Sequence, residues 1–392
     1  MSVQVAKALD RMVGGLLLRA VGPLRAVQDI LSPEPPLDAI REVAAVKFWG
    51  IGNAALLLPV LGRLRERYPA ARLTALTLAG NEPLLRGAAD RVIAVRPRPL
   101  AATLSDLLRA LATLRRPRID LAIDFEQYVR TSQLLLWAAG ARQIVAFETA
   151  GQRRAGLAHV RVPYDDAQHT ALSYLDLARA GGVREGTYRP GGLQIEQAAA
   201  RRVGEWCRAA GVGPRPLVVL HPGSGDNFPG RRWPIRRFAL LARRLRDEAD
   251  AVLAITGSRG EAPLVRQIEE ASGRPVWGLA GRCTLPELVA LLARAALLVS
   301  NDTGPVHLAS ALGVPVLGLY GPNVPHLYGP LSAGSVAFYD APPCSPCITN
   351  FNYKTSRCRN PVCIQAIGLD EVAEAALARL RAKIAHREER SA

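Results

Sequence analysis

The sequence has no uninterrupted apolar run of about 18 residues, so it predicts no membrane-spanning helix. It also lacks a basic tail, a ladder of zinc-finger spacings and an aromatic RNA-binding motif, and we therefore expect no nucleic acid partner. A secretory signal peptide is not expected, because Arg19, Pro23 and Arg25 interrupt the leucine-rich start and no clear cleavage site follows.

Acidic residues are few relative to basic ones: 34 Asp and Glu stand against 50 Lys and Arg, a net charge of +16. Such an excess predicts attraction to an anion, either a phosphorylated small molecule or an anionic membrane surface, unless it is only a solvated arginine-rich surface. The apolar content of 49% suffices for hydrophobic cores, and 392 residues predict two domains.

Residues 1–41 are predicted to form an N-terminal helical extension followed by a proline-rich linker. Basic residues are interspersed among its apolar positions, as in an amphipathic helix, namely Lys7, Arg11, Arg19 and Arg25. Two interpretations stay open: the helix lies on an anionic membrane surface, or it packs against the body of the protein.

From residue 42 onward, apolar strands alternate with helical patterns across short connections, which is typical of doubly wound parallel α/β sheets. The pattern begins anew near residue 216. We therefore predict a first Rossmann-like domain over 42–195 and a second over 196–340. A cysteine-containing segment over 341–368 and a C-terminal helix over 369–392 complete the chain. Ligands of such sheets bind at the carboxyl ends of strands and in the cleft between domains.

The stretch "SNDTGPVHLASALG" (300–313) predicts an anion site where a strand ends and a helix begins. Thr303 is placed as the N-cap, Gly304 permits close approach of a ligand, and His307 adds a donor in the first turn. Asp302 would repel a phosphate, so it is interpreted as a loop-ordering or hydroxyl acceptor. The competing interpretation is a capped crossover with a buried histidine.

The stretch "LHPGSGDNFPGRRWP" (220–234) has a similar organisation, with His221 at a strand end and Ser224 in a glycine-rich loop. Arg231 and Arg232 follow near the start of the next helix. Guanidinium groups at one strand end and a helix N-terminus at another suit a diphosphate. No Gly-Lys-Ser/Thr follows the loop, so it is not a Walker A motif.

A third strand end, "ITGSRGE" (255–261), carries Glu261, which either accepts hydrogen bonds from ribose hydroxyls or is a solvated helix start. The sequence has no Asp-x-Asp pair for a divalent ion. We therefore expect a donor site that needs no metal.

The segments "HPGSG…RRWP", "TGSRGE" and "SNDTGPVHLASALGVPVLGLYGP", in this order, resemble glycosyltransferase family nine, the ADP-heptose:lipopolysaccharide heptosyltransferases. Weaker matches in the first half extend the resemblance over roughly 43–380. It implies a GT-B fold, with an N-terminal acceptor domain and a C-terminal nucleotide-sugar domain. It also implies inverting, metal-independent transfer, most often of heptose from ADP-heptose to a glycolipid acceptor. The implied location is cytoplasmic, at the inner membrane.

The chain departs from the family at the first glycine turn, which usually reads Gly-x-Gly-Asp, with that Asp taken as the general base. Here Asn53 holds the position, and an amide cannot remove a proton from a hydroxyl. Three alternatives stay open. Asp124 or Glu126, at the end of "IDLAIDFE", serves as the base; the acceptor is itself acidic or pre-activated; or the protein is a weakened or altered transferase. Two further rivals are a nucleotide-sugar epimerase on the same fold and a weakened homologue that only binds a nucleotide sugar.

Four cysteines, Cys344, Cys347, Cys358 and Cys363, have the spacing C-x2-C-x10-C-x4-C, which is close to that of structural zinc sites. Zinc or another metal, reduced thiols and disulfides all stay open, although a cytosolic location disfavours disulfides. We expect no cofactor for catalysis itself.

Overall fold

The described residues form two six-stranded parallel sheets, each within one of two compact units. The structure is a computed structural model, and it describes residues 10–25, 34–97, 99–213, 215–225, 228–340 and 342–389. Contacts divide the chain into a first unit, residues 1–192 with 350–354, and a second unit, residues 193–349 with 355–392. Residues 350–354 belong to the first unit, although the sequence pattern places them in the cysteine-containing segment that follows the second domain.

The described part of the first unit begins with a short π-helical turn, Asp10–Gly14, that leads into helix α1. Its remaining helices alternate with its strands as predicted. The elements of the first unit are α1 (Gly15–Val21), β1 (Glu42–Lys47), α2 (Ile51–Arg67), β2 (Arg72–Leu78), α3 (Glu82–Leu85), β3 (Arg91–Val95), α4 (Leu100–Leu114), β4 (Leu121–Asp124), α5 (Thr131–Ala138), β5 (Gln143–Glu148), β6 (Val160–Pro163) and α6 (Thr170–Ala180).

The second unit repeats the alternation and ends on a long C-terminal helix. Its elements are α7 (Gln197–Ala209), β7 (Leu217–His221), α8 (Ile235–Ala249), β8 (Val252–Ile255), α9 (Ala262–Ser272), β9 (Trp277–Gly278), α10 (Leu285–Leu292), β10 (Leu297–Asn301), α11 (Gly304–Ala311), β11 (Val316–Tyr320), α12 (Pro325–Tyr328), β12 (Val336–Tyr339), α13 (Val362–Ala366) and α14 (Leu369–Glu389).

The two sheets have the same strand order. The first runs β3-β2-β1-β4-β5-β6, and the second, read in the same direction, runs β9-β8-β7-β10-β11-β12. In each, the order reverses between the first strand and the fourth, which is the switch point where doubly wound sheets bind ligands. The strands on either side of the second switch point, β7 and β10, are buried along their whole length. Helices therefore cover both faces of the sheet there and leave the strand ends for a ligand.

Most of the predicted elements are confirmed, but two edge strands and one turn differ. Strands β6 (VRVP) and β12 (VAFY) have no fully buried residue, in contrast to the central strands, which are buried along their length. The first glycine turn, which the sequence "WGIGN" predicts over residues 49–53, is shorter than expected, because α2 already begins at Ile51. The sequence predicts Pro234 in the first turn of the helix that follows Arg232, but Pro234 is the residue before α8.

Parts of some predictions lie outside the described residues. They are Lys7 with the rest of residues 1–9, residues 26–33 with the start of the linker, Asp226 and Asn227 in the "GSGDN" loop, and residues 390–392 of the C-terminal helix. In the part of the chain that is described, no helix has both the length and the apolar character needed to cross a membrane.

Candidate functional site

The loop after β7 is held in place by the carboxylate of Glu261, which reaches it from the turn before α9. The N–H groups of Ser224 and Gly225 donate to Glu261 Oε1 at 2.8 and 2.9 Å. The N–H and hydroxyl of Ser258 donate to Oε2 at 2.8 and 2.9 Å, which forms a capping box. A Cβ on Gly223 would lie 2.4 Å from the carboxylate oxygens, so a larger residue there would displace the carboxylate from these hydrogen bonds.

The carboxylate of Glu261 accepts four hydrogen bonds, which is about as many as its two oxygens can accept, and these bonds influence its pKa. Burial acts to raise the pKa of Glu261, but the N–H donors of Ser258 and Gly225 and the nearby His221 outweigh burial and lower it. Glu261 is thus an ionised loop-ordering residue here. Its predicted bond from a ribose hydroxyl would have to replace one of these protein bonds.

Arg231 links the loop after β7 to the start of α11. Its Nη2 donates to the carbonyl of Ser224 at 2.8 Å, and its Nη1 donates to the carbonyl of Asp302 at 3.0 Å. Burial lowers the pKa of Arg231, against the opposing charge of Asp302. Arg232 lies beside it, with Nε bonded to the Ser224 hydroxyl at 3.0 Å. Two cations predicted to contact a diphosphate therefore share one loop.

The end of β10 contains a residue that the sequence reasoning did not single out, Asn301. Its Nδ2 donates to the carbonyl of Pro222 at 2.8 Å, and its Oδ1 accepts the N–H of Trp233 at 2.9 Å. Asn301 thereby joins the ends of the two strands at the switch point. Asp302 is buried and accepts a hydrogen bond from the amide of Asn323 at 2.8 Å, which fits the predicted loop-ordering role.

Helix α11 begins as predicted, with Thr303 at the N-cap position in an extended conformation. The Thr303 hydroxyl makes no capping bond and contacts Ser300 and the carbonyl of Asn301 instead. The helix N-terminus therefore keeps its partial positive charge without a side-chain cap. His307 is buried in the first turn with its ring edge-on to Tyr328.

His221 ends β7 and hydrogen-bonds Thr256 through Nδ1 at 2.9 Å. Burial lowers the pKa of His221 to about 4, although the charge of Glu261 opposes the shift. Between this value and the ordinary pKa of about 6.5, the unfolded chain binds a proton that the folded chain does not. The free energy of unfolding is therefore expected to fall by roughly 3 kcal/mol as the pH drops through that window.

His221→Gln keeps a hydrogen-bonding group beside Thr256 but does not titrate. We expect the variant to lose less stability than the wild type between pH 7.5 and pH 5, measured by urea unfolding. Identical pH dependence in the two proteins would show that His221 is not buried in the neutral form.

In the first unit, Glu126 shapes the glycine turn that precedes α2. Its Oε1 accepts the N–H groups of Phe48 and Trp49 at 2.6 and 3.1 Å, and its Oε2 pairs with Lys47 at 3.0 Å. Gly50 follows with φ of 92°, a left-handed value that favours glycine. Asn53 is half-buried and donates to the carbonyl of Trp49 at 3.2 Å.

Asp124, at the end of β4, is wholly buried and paired. Its Oδ2 accepts from Arg154 at 2.5 Å and from the Ser132 hydroxyl at 2.8 Å, and its Oδ1 accepts the N–H of Glu126 at 3.1 Å. Burial raises the pKa of Asp124 despite the opposing charge of Arg154. Of the three residues predicted to take part in proton removal, only Asn53 has a side chain that reaches solvent.

The four clustered cysteines form no disulfide with one another. Burial raises the pKa of the Cys363 thiol, and the charges of Cys347, Cys344 and Cys358 would raise it further. Within the described ranges, no three of His, Cys, Asp and Glu are placed to hold a metal ion. The zinc alternative therefore finds no support in these side-chain positions.

Comparison with known proteins extends the resemblance seen in the sequence. A sequence profile described as glycosyltransferase family 9 (heptosyltransferase) matches residues 107–355. The chain is 28% identical to lipopolysaccharide heptosyltransferase 2 of Escherichia coli (strain K12) over 295 residues, which are 72% of this chain and 83% of that protein. It is 36% identical to lipooligosaccharide heptosyltransferase 2 of Haemophilus influenzae over 125 residues, which are 31% of this chain and only 36% of that relative.

Among solved structures, the Escherichia coli heptosyltransferase WaaC with ADP is similar, with a TM-score of 0.65 and 18% identity. The similarity covers 86% of this chain and 99% of that one. Together with the two six-stranded parallel sheets, it confirms the predicted GT-B class.

Proposed function

Because the chain belongs to glycosyltransferase family 9, the heptosyltransferases, we propose that it transfers heptose from ADP-heptose to a lipopolysaccharide-type glycan acceptor. The observation that carries the proposal is the second switch point, where Arg231 and Arg232 lie beside the uncapped start of α11. These groups suit the diphosphate of a nucleotide sugar. The relative solved with ADP supports adenine as the base. The glycolipid acceptor would bring the enzyme to the cytoplasmic face of the inner membrane.

In the proposed step, an acceptor hydroxyl oxygen forms a bond to the anomeric carbon of the donor sugar. The bond from that carbon to the diphosphate breaks on the opposite face, which inverts the configuration, and its electron pair stays on the departing ADP. Arg231 and the N-terminus of α11 stabilise the charge that develops there. The hydroxyl proton leaves to a base, and this is the step that Asn53 puts in question.

The test is a transfer assay with ADP-heptose and a lipid A inner-core acceptor. We expect ADP release that depends on the acceptor, together with an acceptor heavier by one heptose. UDP sugars serve as the control donors. Conversion of a UDP sugar into its epimer without any acceptor, and no transfer, would favour the epimerase instead.

Arg231→Ala is expected to weaken ADP-heptose binding about 10- to 150-fold, because a hydrogen bond to a charged group contributes about 1.5–3 kcal/mol. Arg236→Ala is the matched control, since Arg236 is an exposed arginine in the first turn of α8. Isothermal calorimetry measures both. A dissociation constant that does not change in Arg231→Ala would exclude this placement of the diphosphate.

We expect transfer to continue in EDTA, because arginines and backbone N–H groups supply the positive charge that a divalent ion would otherwise give. The measurement is the rate of ADP release before and after chelation. Loss of the rate, followed by recovery with magnesium or manganese, would contradict metal independence. Separate addition of zinc controls for an effect on the cysteine segment.

A further inference from the structure

The first unit contains a cavity of about 510 Å³ that takes no part in the proposed transfer reaction. Residues of four segments line it: the N-terminal helical segment 10–25, the loop at 151–153, the start of α5 and, through Tyr353, the segment 350–354. Four arginines contribute to its wall, namely Arg11, Arg19, Arg130 and Arg153. The cavity is therefore strongly cationic.

The N-terminal segment is fixed against the first unit by directional bonds. Asp10 accepts the N–H groups of Arg130 and Thr131 at 3.0 and 2.8 Å, so its carboxylate caps the start of α5. At the other end, Arg25 donates to the carbonyl of Ala158 at 2.5 Å. Of the two interpretations of this segment, packing against the protein's own body is thus realised, but only for one of its faces.

The charge of the cavity is not neutralised from within. No carboxylate of the described residues forms an ion pair with Arg11, Arg19, Arg130 or Arg153. Arg130 is only 6% exposed. Its Nη2 donates to the carbonyl of Gln152 at 2.6 Å, and its Nη1 has no hydrogen-bond partner within the described part of the chain. Four like charges around one cavity repel one another, and an anion in the cavity would relieve that repulsion.

The outer face of the same segment is apolar. Met12 and Leu16 line the cavity and are 67% and 65% exposed, and Val13, Leu17 and Leu24 are exposed beside them. An anionic group in the cavity would therefore lie next to apolar side chains that face solvent. Phosphate head groups joined to acyl chains have this combination of chemistry, whereas a soluble sugar phosphate does not.

We propose that this cavity binds the phosphate head group of an anionic phospholipid, while the apolar face of residues 12–17 enters the acyl region of the bilayer. We commit to a lipid as the occupant, because arginines that pair with no carboxylate of the described residues lie beside exposed apolar side chains, and an anionic phospholipid complements both. The inference does not depend on the donor or acceptor of the transfer reaction.

The test is binding of the full chain to phosphatidylcholine vesicles with and without phosphatidylglycerol, measured by co-sedimentation. Arg19→Gln combined with Arg153→Gln is expected to lower binding to the anionic vesicles at least tenfold, or about 1.4 kcal/mol. The control removes two exposed arginines of the second unit, Arg201→Gln with Arg266→Gln, and is expected to retain wild-type binding. Equal losses in the two pairs would mean that the net charge alone causes binding, and would overturn the proposal.

A second pair of variants tests the apolar face. Met12→Ser with Leu16→Ser is expected to reduce vesicle binding, whereas Leu104→Ser with Leu108→Ser, two comparably exposed leucines of α4, is not. Calorimetry with soluble glycerol 3-phosphate separates a lipid from a free phosphate. Tight binding of that soluble group, without preference for anionic vesicles, would also overturn the proposal. Unchanged ADP-heptose binding by these variants keeps the result separate from the proposed transferase function.

Discussion

Arg154→Met is expected to lower the free energy of unfolding by about 3–5 kcal/mol, the cost of breaking a buried ion pair from one side. Arg154 and Asp124 are both completely buried, and Arg154 also donates to the carbonyls of Val129 and Phe147 at 3.1 and 2.8 Å. The variant leaves an uncompensated carboxylate and two carbonyls without these donors. Urea unfolding measures the loss, and hydrogen exchange of β4 and β5 assigns it to the first unit.

The matched control for this prediction is Arg161→Met, because Arg161 pairs with Glu148 at 3.7 Å in an exposed position. Its expected effect is about 0–1 kcal/mol. The loss in free energy of unfolding caused by Arg154→Met, relative to the wild type, is also expected to become smaller as the pH falls. Without Arg154, burial raises the pKa of Asp124 further, so the folded variant binds a proton more readily than the unfolded chain and gains stability toward acid. A loss of stability that does not depend on pH and is no larger than that of the control would contradict a stabilising role for the buried pair of Arg154 and Asp124.

Asn53→Asp is expected to raise kcat of transfer by about 10²-fold or more, because a positioned general base contributes about 10²–10⁴ in rate. The structural reason is that the two alternative carboxylates are already engaged. Asp124 is paired with Arg154, and Glu126 holds the turn through Phe48, Trp49 and Lys47. The half-buried Asn53 is the position from which a carboxylate would reach solvent. The measurement is kcat with a saturating donor, and Asn53→Ser is the control for a change of size and polarity.

The opposite outcome assigns the base elsewhere. If Asn53→Asp leaves kcat unchanged and Glu126→Gln lowers it 10²-fold with donor binding intact, Glu126 removes the proton. Both carboxylate variants must be compared per folded molecule, since Glu126→Gln also leaves the buried Lys47 without its ion pair. Asp124→Asn, assayed in the same way, separates a role in stability from one in proton transfer.

The sequence by itself determined the two parallel sheets and the three strand ends at which the donor site is proposed. Both follow from local information: strands buried on both faces are continuous apolar runs, and a helix start is marked by its own cap and proline. Thr303, Gly304 and Arg231 are recognisable for this reason, because each lies within a few residues of the element end that gives it its role.

Only the tertiary structure decided which side chains meet across those elements. Glu261 orders a loop 37 residues away, and Asn301 joins two strand ends 79 residues apart. Likewise, Asp10 brings the N-terminal arginines beside Arg130, 120 residues along the chain. From the sequence alone, only the residue type is known, and it does not show whether a carboxylate binds a ligand or stabilises the fold. That role depends on which hydrogen-bond donors reach the lone pairs of the carboxylate. Those donors come from distant strands and turns, and only packing of the sheets brings them together.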